Sequence, residues 1–309
     1  MFSLTKDVSY VDLNFRGTPG IIATGVLSDP SGVTLVDPGP TSCLDALRHA
    51  LAEQRIALGD VRALLLTHIH LDHAGATGAL LQENPAIEVY VHERGARHLV
   101  DPSKLIESAS RLYGTMMEPL WGAMLPVPSA RVKVLHGGER IRLGSREIEV
   151  AYTPGHASHH VSYFDRANDM AWVGDTAGIR VGTSRFVMPP TPPPDIELEV
   201  WRESLARIAA WNPTSLFLTH FGPVQPAHGH LDDLAVKLGE AAEMVRRSLD
   251  AGPTEDRQFA AYREEFARYI RRFVSEHEAA AYERAAPFEY NWQGLARYWR
   301  KRAAPPAAY

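Results

Sequence analysis

Three histidines and an aspartate fall within six consecutive positions, directly after an apolar run. The run is "LLL" at residues 64–66, and the donors that follow it are His68, His70, Asp72 and His73. A short run without polar residues fits a strand that is buried on both faces. Imidazole and carboxylate groups are common ligands of zinc, manganese and iron. The pattern therefore predicts that the end of a buried strand carries part of a metal site.

Three further donors each stand at the end of a later apolar run. "EVAYTPGH" ends on His156, "MAWVGD" ends on Asp175 and "LFLTH" ends on His220. Loops at strand ends are where rigid scaffolds place reactive groups. These donors complete a set that is large enough for two metal ions. The predicted groups are His68, His70 and His156 for one ion, Asp72, His73 and His220 for the other, and Asp175 as a bridge between them.

The composition limits the chemistry and the partners that the chain can have. Hydrophobic residues make up 45% of the 309 positions and charged residues 22%, which is enough for a sizeable core. Cys43 is the only cysteine, so an intramolecular disulfide and a thiolate cluster are excluded, and a metal site has to use nitrogen and oxygen. A formal net charge of -5 gives no electrostatic footprint for nucleic acid.

Neither a leader segment nor a membrane span is expected from the sequence. The N-terminal stretch "MFSLTKDVSYVDL" is charged early and lacks a long apolar core, and no other stretch is apolar over a spanning length. We therefore expect a cytoplasmic protein that acts on a small-molecule substrate and binds neither membrane nor nucleic acid. Assembly into a homo-oligomer stays open.

Strand and helix patterns alternate over about the first 230 residues. "VSYVDLNF", "GIIATGVL" and "GVTLVDPG" are typical of strands between turns, and Leu44, Leu47 and Leu51 share one face of a predicted helix. A second series of strands begins with "RVKVL" and ends with "SLFLTH". Two such runs with helices between them predict two stacked sheets with helices outside.

From about residue 230 onward the pattern is helical throughout. An aromatic stripe recurs there every three or four residues, formed by Phe259, Tyr262, Phe266, Tyr269 and Phe273. We expect a main domain at residues 1–230 and a helical segment at residues 231–309 that packs on it through this stripe. A substrate wall or a dimer surface is the alternative use of the stripe.

The order of the donors resembles the signature of the metallo-β-lactamase superfamily. In that signature two histidines, an aspartate and a histidine form a His-x-His-x-Asp-His motif, and a further His, Asp and His follow. Here "HIHLDH" at residues 68–73, His156, Asp175 and His220 fill every position. The resemblance implies an α/β fold, an αββα sandwich with the metals at one edge of the sheets, here with a C-terminal helical appendage. "LVDPG" also matches the family, where its aspartate, here Asp37, orients a metal histidine from behind.

Within that superfamily the chain looks most like the glyoxalase II type of hydrolase, a group that also contains lactonases. The resemblance implies two divalent metal ions, zinc first with iron or manganese as alternatives, and hydrolysis by a hydroxide that bridges them. Asp72 is the expected catalytic residue, because a carboxylate with one oxygen on a metal can still take or pass on a proton. The basic glutathione-binding elements of glyoxalase II are not recognisable in the C-terminal helices.

Two segments that no motif explains are expected to shape the substrate pocket, at residues 103–128 and 185–195. The first is rich in methionine and aromatic residues, and the second contains five prolines. Methionine and aromatic side chains favour an apolar acyl group, so we expect an ester, thioester or lactone as substrate. Capping of the core is the alternative role of both segments. The candidate pocket residues are His159, His160, Tyr113, Met117 and Trp121, of which the two histidines in "GHASHHVSYF" also fit the start of a strand.

Three alternatives to this hydrolase stay open. A persulfide dioxygenase would use the same fold with a single iron ion, and a β-lactamase-like or promiscuous enzyme would use the same two ions on other substrates. A non-catalytic member would keep metal for stability and bind a partner. The complete donor set, with Asp72 in it, weighs against this last alternative.

Overall fold

A computed structural model describes residues 1–303 of the chain, whose strands form two separate sheets. The first sheet follows the chain order and consists of β1 (Phe2–Ser3), β2 (Val8–Asp12), β3 (Ala23–Asp29), β4 (Gly32–Val36), β5 (Val61–Leu65), β6 (Glu88–His92) and β7 (Val132–Leu135). The pairs β1–β2, β2–β3 and β3–β4 are antiparallel. The pairs β4–β5, β5–β6 and β6–β7 are parallel.

The second sheet is built from the later strands, of which β11 and β12 are parallel and the other pairs antiparallel. Its members are β8 (Arg140–Leu143), β9 (Arg146–Tyr152), β10 (Val161–Asp165), β11 (Met170–Trp172), β12 (Ser215–Leu218) and β13 (Gly222–Val224), in the spatial order β13, β12, β11, β10, β9, β8. The second sheet therefore places the ends of β11 and β12 side by side.

The two sheets face each other across a shared core. Leu27 and Leu65 of the first sheet are fully buried in one cluster with Tyr163 and Trp172 of the second. A sheet that is apolar on one face has to bury that face against another layer. Because both sheets contribute to this cluster, it fixes the position of one sheet relative to the other.

Helices complete the layers on the outside. They are α1 (Leu44–Glu53), α2 (Leu71–Ala74), α3 (Thr77–Glu83), α4 (Glu93–Val100), α5 (Ser103–Tyr113), α6 (Met117–Trp121), α7 (Leu198–Ala210), α8 (Ala227–Ser248), α9 (Glu255–Ile270), α10 (Glu276–Ala285) and α11 (Phe288–Ala303). Leu44, Leu47 and Leu51 of α1 are buried, as their spacing predicts. Helix α4 packs on β6 and β7, and α7 packs on β9. The predicted αββα sandwich is confirmed.

The position of "RVKVL" in the sequence had suggested that this strand belongs to the second series. It does not. It forms β7 and pairs in parallel with β6 at the edge of the first sheet. Helices α4 to α6 make the crossover that two parallel neighbours require. Strand β8 was not predicted, although its residues "RIRL" alternate between polar and apolar as a half-buried strand does.

The aromatic stripe packs mainly among the C-terminal helices, with Phe266 on Phe288 and Phe259 on Trp292, and it reaches the loop at Phe186 through Tyr269 and Phe273. Tyr262, Phe266 and Tyr269 are buried, Phe259 is half-buried and Phe273 is about half exposed. Helix α8 contacts α7 of the sandwich as well as α9 and α11, and the predicted boundary at residue 230 falls inside it. The division into two domains therefore stays a prediction. Within residues 1–303, none of the helices combines the length and apolar character that a membrane crossing requires.

Truncation of a buried ring in this stripe should destabilise the fold. Phe266 is 2% exposed, and its ring centroid lies 4.8 Å from that of Phe288. Replacing a buried phenylalanine by alanine costs about 3–5 kcal/mol, so Phe266→Ala should clearly lower the midpoint of urea unfolding. Phe273→Ala is the matched control, since Phe273 is 48% exposed and should lose about 1 kcal/mol or less. Equal losses in the two variants would contradict the packing described here.

Candidate metal centre

The seven predicted donors lie together where four strands end. They are His68, His70, Asp72 and His73 after β5, His156 after β9, Asp175 after β11, and His220 after β12. Strand β5 belongs to the first sheet and the other three to the second, so both layers contribute. The donor atoms form three overlapping groups of three, within each of which all atoms lie within 4.8 Å of one another. The structure thus brings all seven residues into one cluster.

The first group consists of three imidazoles. His70 Nδ1 lies 2.9 Å from His68 Nε2 and 3.1 Å from His156 Nε2. Zinc binds imidazole nitrogen at about 2.0–2.1 Å, which separates two tetrahedrally placed nitrogens by about 3.3 Å. The three nitrogens therefore converge on one point at close to the spacing of ligands around a single ion.

The group of Asp72, His73 and His220 combines a carboxylate with two imidazoles, and the carboxylate of Asp175 lies beside it. Asp72 Oδ2 lies 3.3 Å from His220 Nε2 and 3.8 Å from His73 Nε2. Asp175 Oδ1 lies 3.3 Å from His73 Nε2, and its other oxygen lies 3.5 Å from His156 Nε2. The Asp175 carboxylate is therefore positioned between the two groups and reaches both.

The carboxylate of Asp37 lies directly behind the cluster, completely buried. Its Oδ2 accepts hydrogen bonds from the Thr67 hydroxyl at 2.7 Å, the Thr219 hydroxyl at 2.7 Å and His73 Nδ1 at 2.8 Å. Its Oδ1 accepts a hydrogen bond from the Thr67 amide at 2.8 Å. Because Asp37 engages Nδ1 of His73, the ring presents Nε2 to the cluster. The structure places Asp37 where the sequence predicted a supporting aspartate.

Two further histidines are oriented by main-chain carbonyls. His156 Nδ1 donates to the Pro190 carbonyl at 2.8 Å, and His220 Nδ1 donates to the Ile21 carbonyl at 2.7 Å. A ring that donates from Nδ1 leaves Nε2 as an acceptor, which is the form that binds a metal ion. Both rings therefore face the cluster in the tautomer that ligation requires.

Close backbone approach brings Asp175 to the histidine motif. Gly174 precedes it with a positive φ of 44°, and a Cβ at this position would lie 2.4 Å from the Thr67 hydroxyl oxygen. Glycine adopts this conformation without the steric penalty of other residues. The turn between β11 and Asp175 can therefore rest directly on the segment that carries His68.

The electrostatics of the cluster suit a bound cation. Burial and the neighbouring His73 lower the pKa of His68, and burial, together with His156, lowers the pKa of His70 to about 4. These rings are neutral near pH 7 and offer lone pairs. His73 Nε2 and Asp175 Oδ1 are buried, face each other at 3.3 Å without the geometry of a hydrogen bond and, within residues 1–303, have no other hydrogen-bond partner. Buried polar atoms rarely stay unpaired, and a cation would satisfy both, so the residues fit a metal.

The two histidines that were predicted as pocket residues lie in different places. His159 is half-buried, and its ring centroid lies 5.5 Å from that of His70. His160 has no exposed surface, because its ring stacks behind His68 at 5.0 Å and bonds to the Thr153 hydroxyl at 3.0 Å. His160 therefore supports the cluster from within the core and directly precedes β10, which agrees with the strand-start alternative and not with a place in the pocket.

The other predicted pocket residues form an aromatic group beside the cluster. The Tyr113 ring meets Trp121 edge-on at 5.2 Å and Tyr290 of α11 edge-on at 5.4 Å. Burial and, to a lesser extent, the carboxylate of Asp72 raise the pKa of Tyr113. Met117 is half-buried and lies on α6, as Trp121 does. Residues 103–128 thus contribute α5 and α6 to this side of the site.

Several residues of the site have no counterpart in the sequence predictions. Thr67 and Thr219 support Asp37, and a signal for them was present, since "LTH" occurs at residues 66–68 and again at 218–220. The carbonyls of Ile21 and Pro190 gave no signal, because any residue carries one. Tyr290 could not be assigned to the site either, because it is distant in the sequence and is one of several aromatic residues in its helix.

Comparison of the sequence with protein families and curated proteins gives consistent matches. A model of the metallo-beta-lactamase superfamily matches residues 17–220, more than half of the chain. A metallo-beta-lactamase fold-containing protein of Sulfurisphaera tokodaii is 31% identical over 201 residues, which are 60% of this chain and 75% of that protein. A hydroxyacylglutathione hydrolase of Hahella chejuensis is 31% identical over 153 residues, which are 50% of this chain and 41% of that enzyme. The chain thus matches less than half the length of that hydrolase.

Solved structures share the fold over most of the chain. A metallo-beta-lactamase family protein of Thermus thermophilus superposes with a TM-score of 0.73 at 21% identity, over 98% of this chain and 96% of that one. A subclass B3 metallo-beta-lactamase from a soil metagenome library gives a TM-score of 0.59 at 22% identity, over 79% of this chain and 97% of that one. Identities this low show the fold alone.

Removing the Asp37 carboxylate should weaken metal binding. Asp37→Asn places an amide among the donors from Thr67, Thr219 and His73, so the His73 ring loses its fixed orientation. Loss of such a supporting partner typically lowers metal affinity about 10–100-fold. Competition against a chromophoric chelator measures the change, and Asp29→Asn, at a hydrogen-bonded carboxylate of β3, is the control. An unchanged affinity in a folded Asp37→Asn variant would show that Asp37 does not support the metal site.

Proposed function

Because the chain belongs to the metallo-beta-lactamase superfamily, we propose that it is a metal-dependent hydrolase that cleaves an ester, thioester or lactone. The observation that carries the proposal is the buried cluster of five imidazoles and two carboxylates at the edge of the stacked sheets. In this cluster the side chain of Asp72 is 22% exposed and that of Asp175 only 7%. Asp72 therefore stands on the side from which a substrate can enter.

The proposed cofactor is a pair of divalent ions. His68, His70 and His156 would hold one ion, and Asp72, His73 and His220 would hold the other. Asp175 supports this division, because its two oxygens face different groups. Mixed imidazole and carboxylate donors suit zinc, which we propose first, with iron and manganese as the alternatives.

The chain's own residues prepare the site for hydrolysis. Divalent ions, when bound, lower the pKa of water from about 15.7 towards 7 and polarise the carbonyl to be attacked. Oδ2 of Asp72 faces His73 and His220, which leaves Oδ1 free to take a proton from the attacking water. The same oxygen can then pass the proton to the leaving alkoxide or thiolate. His68 and His70, being neutral, do not compete for that proton.

We propose that the substrate carries an apolar acyl group. The aromatic group of Tyr113, Trp121 and Tyr290 lies beside the cluster, and Trp121 stacks on Phe15 at 5.7 Å. Rings that are fixed by edge-on and stacked contacts offer a rigid apolar wall. The relative that is a hydroxyacylglutathione hydrolase favours a thioester among the three bond types. The absence of recognisable glutathione-binding residues in the C-terminal sequence favours a leaving group other than glutathione.

A substrate panel tests the proposal directly. Metal-loaded protein should hydrolyse esters, thioesters or lactones, and a chelator should abolish the activity. The specificity constant kcat/KM should rise with acyl length, by up to about fourfold for each methylene that is buried at about 0.8 kcal/mol. Oxygen uptake with a persulfide by protein that contains a single iron would instead identify a dioxygenase. Hydrolysis of β-lactams in preference to all three bond types would also contradict the proposal.

Asp72→Asn should damage turnover far more than folding. Asparagine keeps the shape and one oxygen donor but cannot accept the proton, and general acid and base assistance is worth about 10²–10⁴ in rate. We expect kcat to fall by that factor with a native-like melting curve. Asp45→Asn is the control, since the Asp45 side chain is 95% exposed on α1. If kcat of the Asp72 variant stays within a few-fold of the native value with metal bound, proton transfer belongs to another group such as His159.

A further inference from the structure

We propose that the C-terminal helix α11 is part of the metal centre, because its Asn291 positions the loop that orients His156. Asn291 is a positioning residue, which acts on the His156 ring through Thr191 and Pro190. The inference rests on the proposed function only in requiring that a metal ion binds at His156. It gives the C-terminal segment a role in metal binding in addition to its packing on the sandwich.

The contacts form a continuous path from helix to ligand. His156 Nδ1 donates to the Pro190 carbonyl at 2.8 Å. The next residue, Thr191, donates its amide to Asn291 Oδ1 at 2.7 Å and its hydroxyl to the Asn291 carbonyl at 3.0 Å. Asn291 Nδ2 in turn donates to the Ala286 carbonyl at 3.3 Å, which fixes the amide group with Oδ1 towards Thr191. All three of Pro190, Thr191 and Asn291 are buried.

The composition of the loop makes the amide of Thr191 irreplaceable. Residues 189–194 read "PPTPPP". Proline has no backbone N–H, so Thr191 holds the only main-chain donor in these six residues, and that donor bonds to Asn291. The loop therefore cannot tie itself down by main-chain donation at any other point of this stretch. Without the Asn291 side chain, the Thr191 amide, directly after the Pro190 carbonyl, loses its hydrogen-bond acceptor.

Helix α11 also packs directly on the same loop. A Cβ added at Gly294, one turn after Asn291, would lie 2.0 Å from the Thr191 carbonyl oxygen and 2.8 Å from the Pro192 carbonyl carbon. Real Cβ atoms do not come so close to main-chain atoms, so glycine is needed for this approach. Two positions of one helix therefore hold Thr191 from the same side.

The expected effect is selective for one of the two groups of donors. His156 belongs to the group with His68 and His70, whereas Asp72, His73 and His220 form a group without it. Removal of a group that hydrogen-bonds a metal-binding histidine typically lowers the metal affinity about 10–100-fold. A disturbed Pro190 carbonyl should thus weaken one binding step and leave the other nearly unchanged.

The experiment compares stepwise metal affinities in matched variants of the full chain. Zinc is titrated against a competing chelator, and the cobalt(II) form is followed by its visible ligand-field spectrum. Asn291→Ala should weaken one binding step about 10–100-fold, keep the other within a few-fold and change the cobalt spectrum. In Asn291→Asp, burial favours the neutral carboxyl, which can accept from the Thr191 amide and donate to the Ala286 carbonyl, so this variant should restore both the affinity and the spectrum.

Tyr282→Phe provides the matched control. The Tyr282 hydroxyl donates from α10 to the Phe186 carbonyl, in the same loop but away from Thr191. This variant should lower the melting temperature and leave both metal affinities unchanged. It thereby separates loss of packing in the C-terminal segment from loss of the Asn291 contact.

Each outcome supports or overturns the inference. Unchanged affinities and spectrum in Asn291→Ala overturn it, as does equal weakening of both steps in parallel with Tyr282→Phe. If Asn291→Ala does not fold, Asn291→Leu, which has a similar shape but cannot accept from the Thr191 amide, is judged by the same two criteria. Because the readout is metal affinity, failure of the native protein to hydrolyse any substrate would contradict the proposed function and leave this inference standing.

Discussion

A single buried carboxylate, that of Asp37, links the two sheets at the metal centre. Asp37 follows β4, Thr67 and His73 follow β5 in the same sheet, and Thr219 follows β12 in the other. A carboxylate without hydrogen bonds is costly to bury, yet here its two oxygens accept four hydrogen bonds. The repeated "LTH" tripeptide supplies the two threonines, each directly before a donor histidine. The same interaction therefore aligns the sheets and places His68, His73 and His220.

The remaining ligand orientations depend on contacts that are distant in the sequence. His220 donates to the carbonyl of Ile21, near the start of the chain, and His156 donates to that of Pro190. The loop of Pro190 is held in turn by Asn291 of the last helix. Each ring thus keeps its metal-binding nitrogen towards the cluster because a different part of the fold fixes the acceptor behind it. The metal centre is a property of the whole chain and not of the histidine motif alone.

The sequence predicted the layers, the gathered donors and the supporting Asp37, but not the other partners that orient the donor rings. Donor side chains at the ends of apolar runs are visible in a sequence, and so are helix faces such as that of α1. Carbonyl acceptors such as that of Pro190 are invisible, because every residue has one. Strand "RVKVL" was assigned to the wrong sheet, because the pattern of a strand does not reveal which strands lie beside it. The sequence left two roles open for His160, because a histidine near a ligand can line a pocket or point into the core, and here it points into the core.

The central claim is that the seven gathered donors form a site for two metal ions. Stepwise titration of metal-free protein with zinc, followed by calorimetry and by elemental analysis after desalting, tests it most directly. The account predicts that two equivalents remain bound and that exchanging His156 or His220 for alanine each removes one of them. Retention of a single equivalent by the native chain at saturating zinc would contradict it.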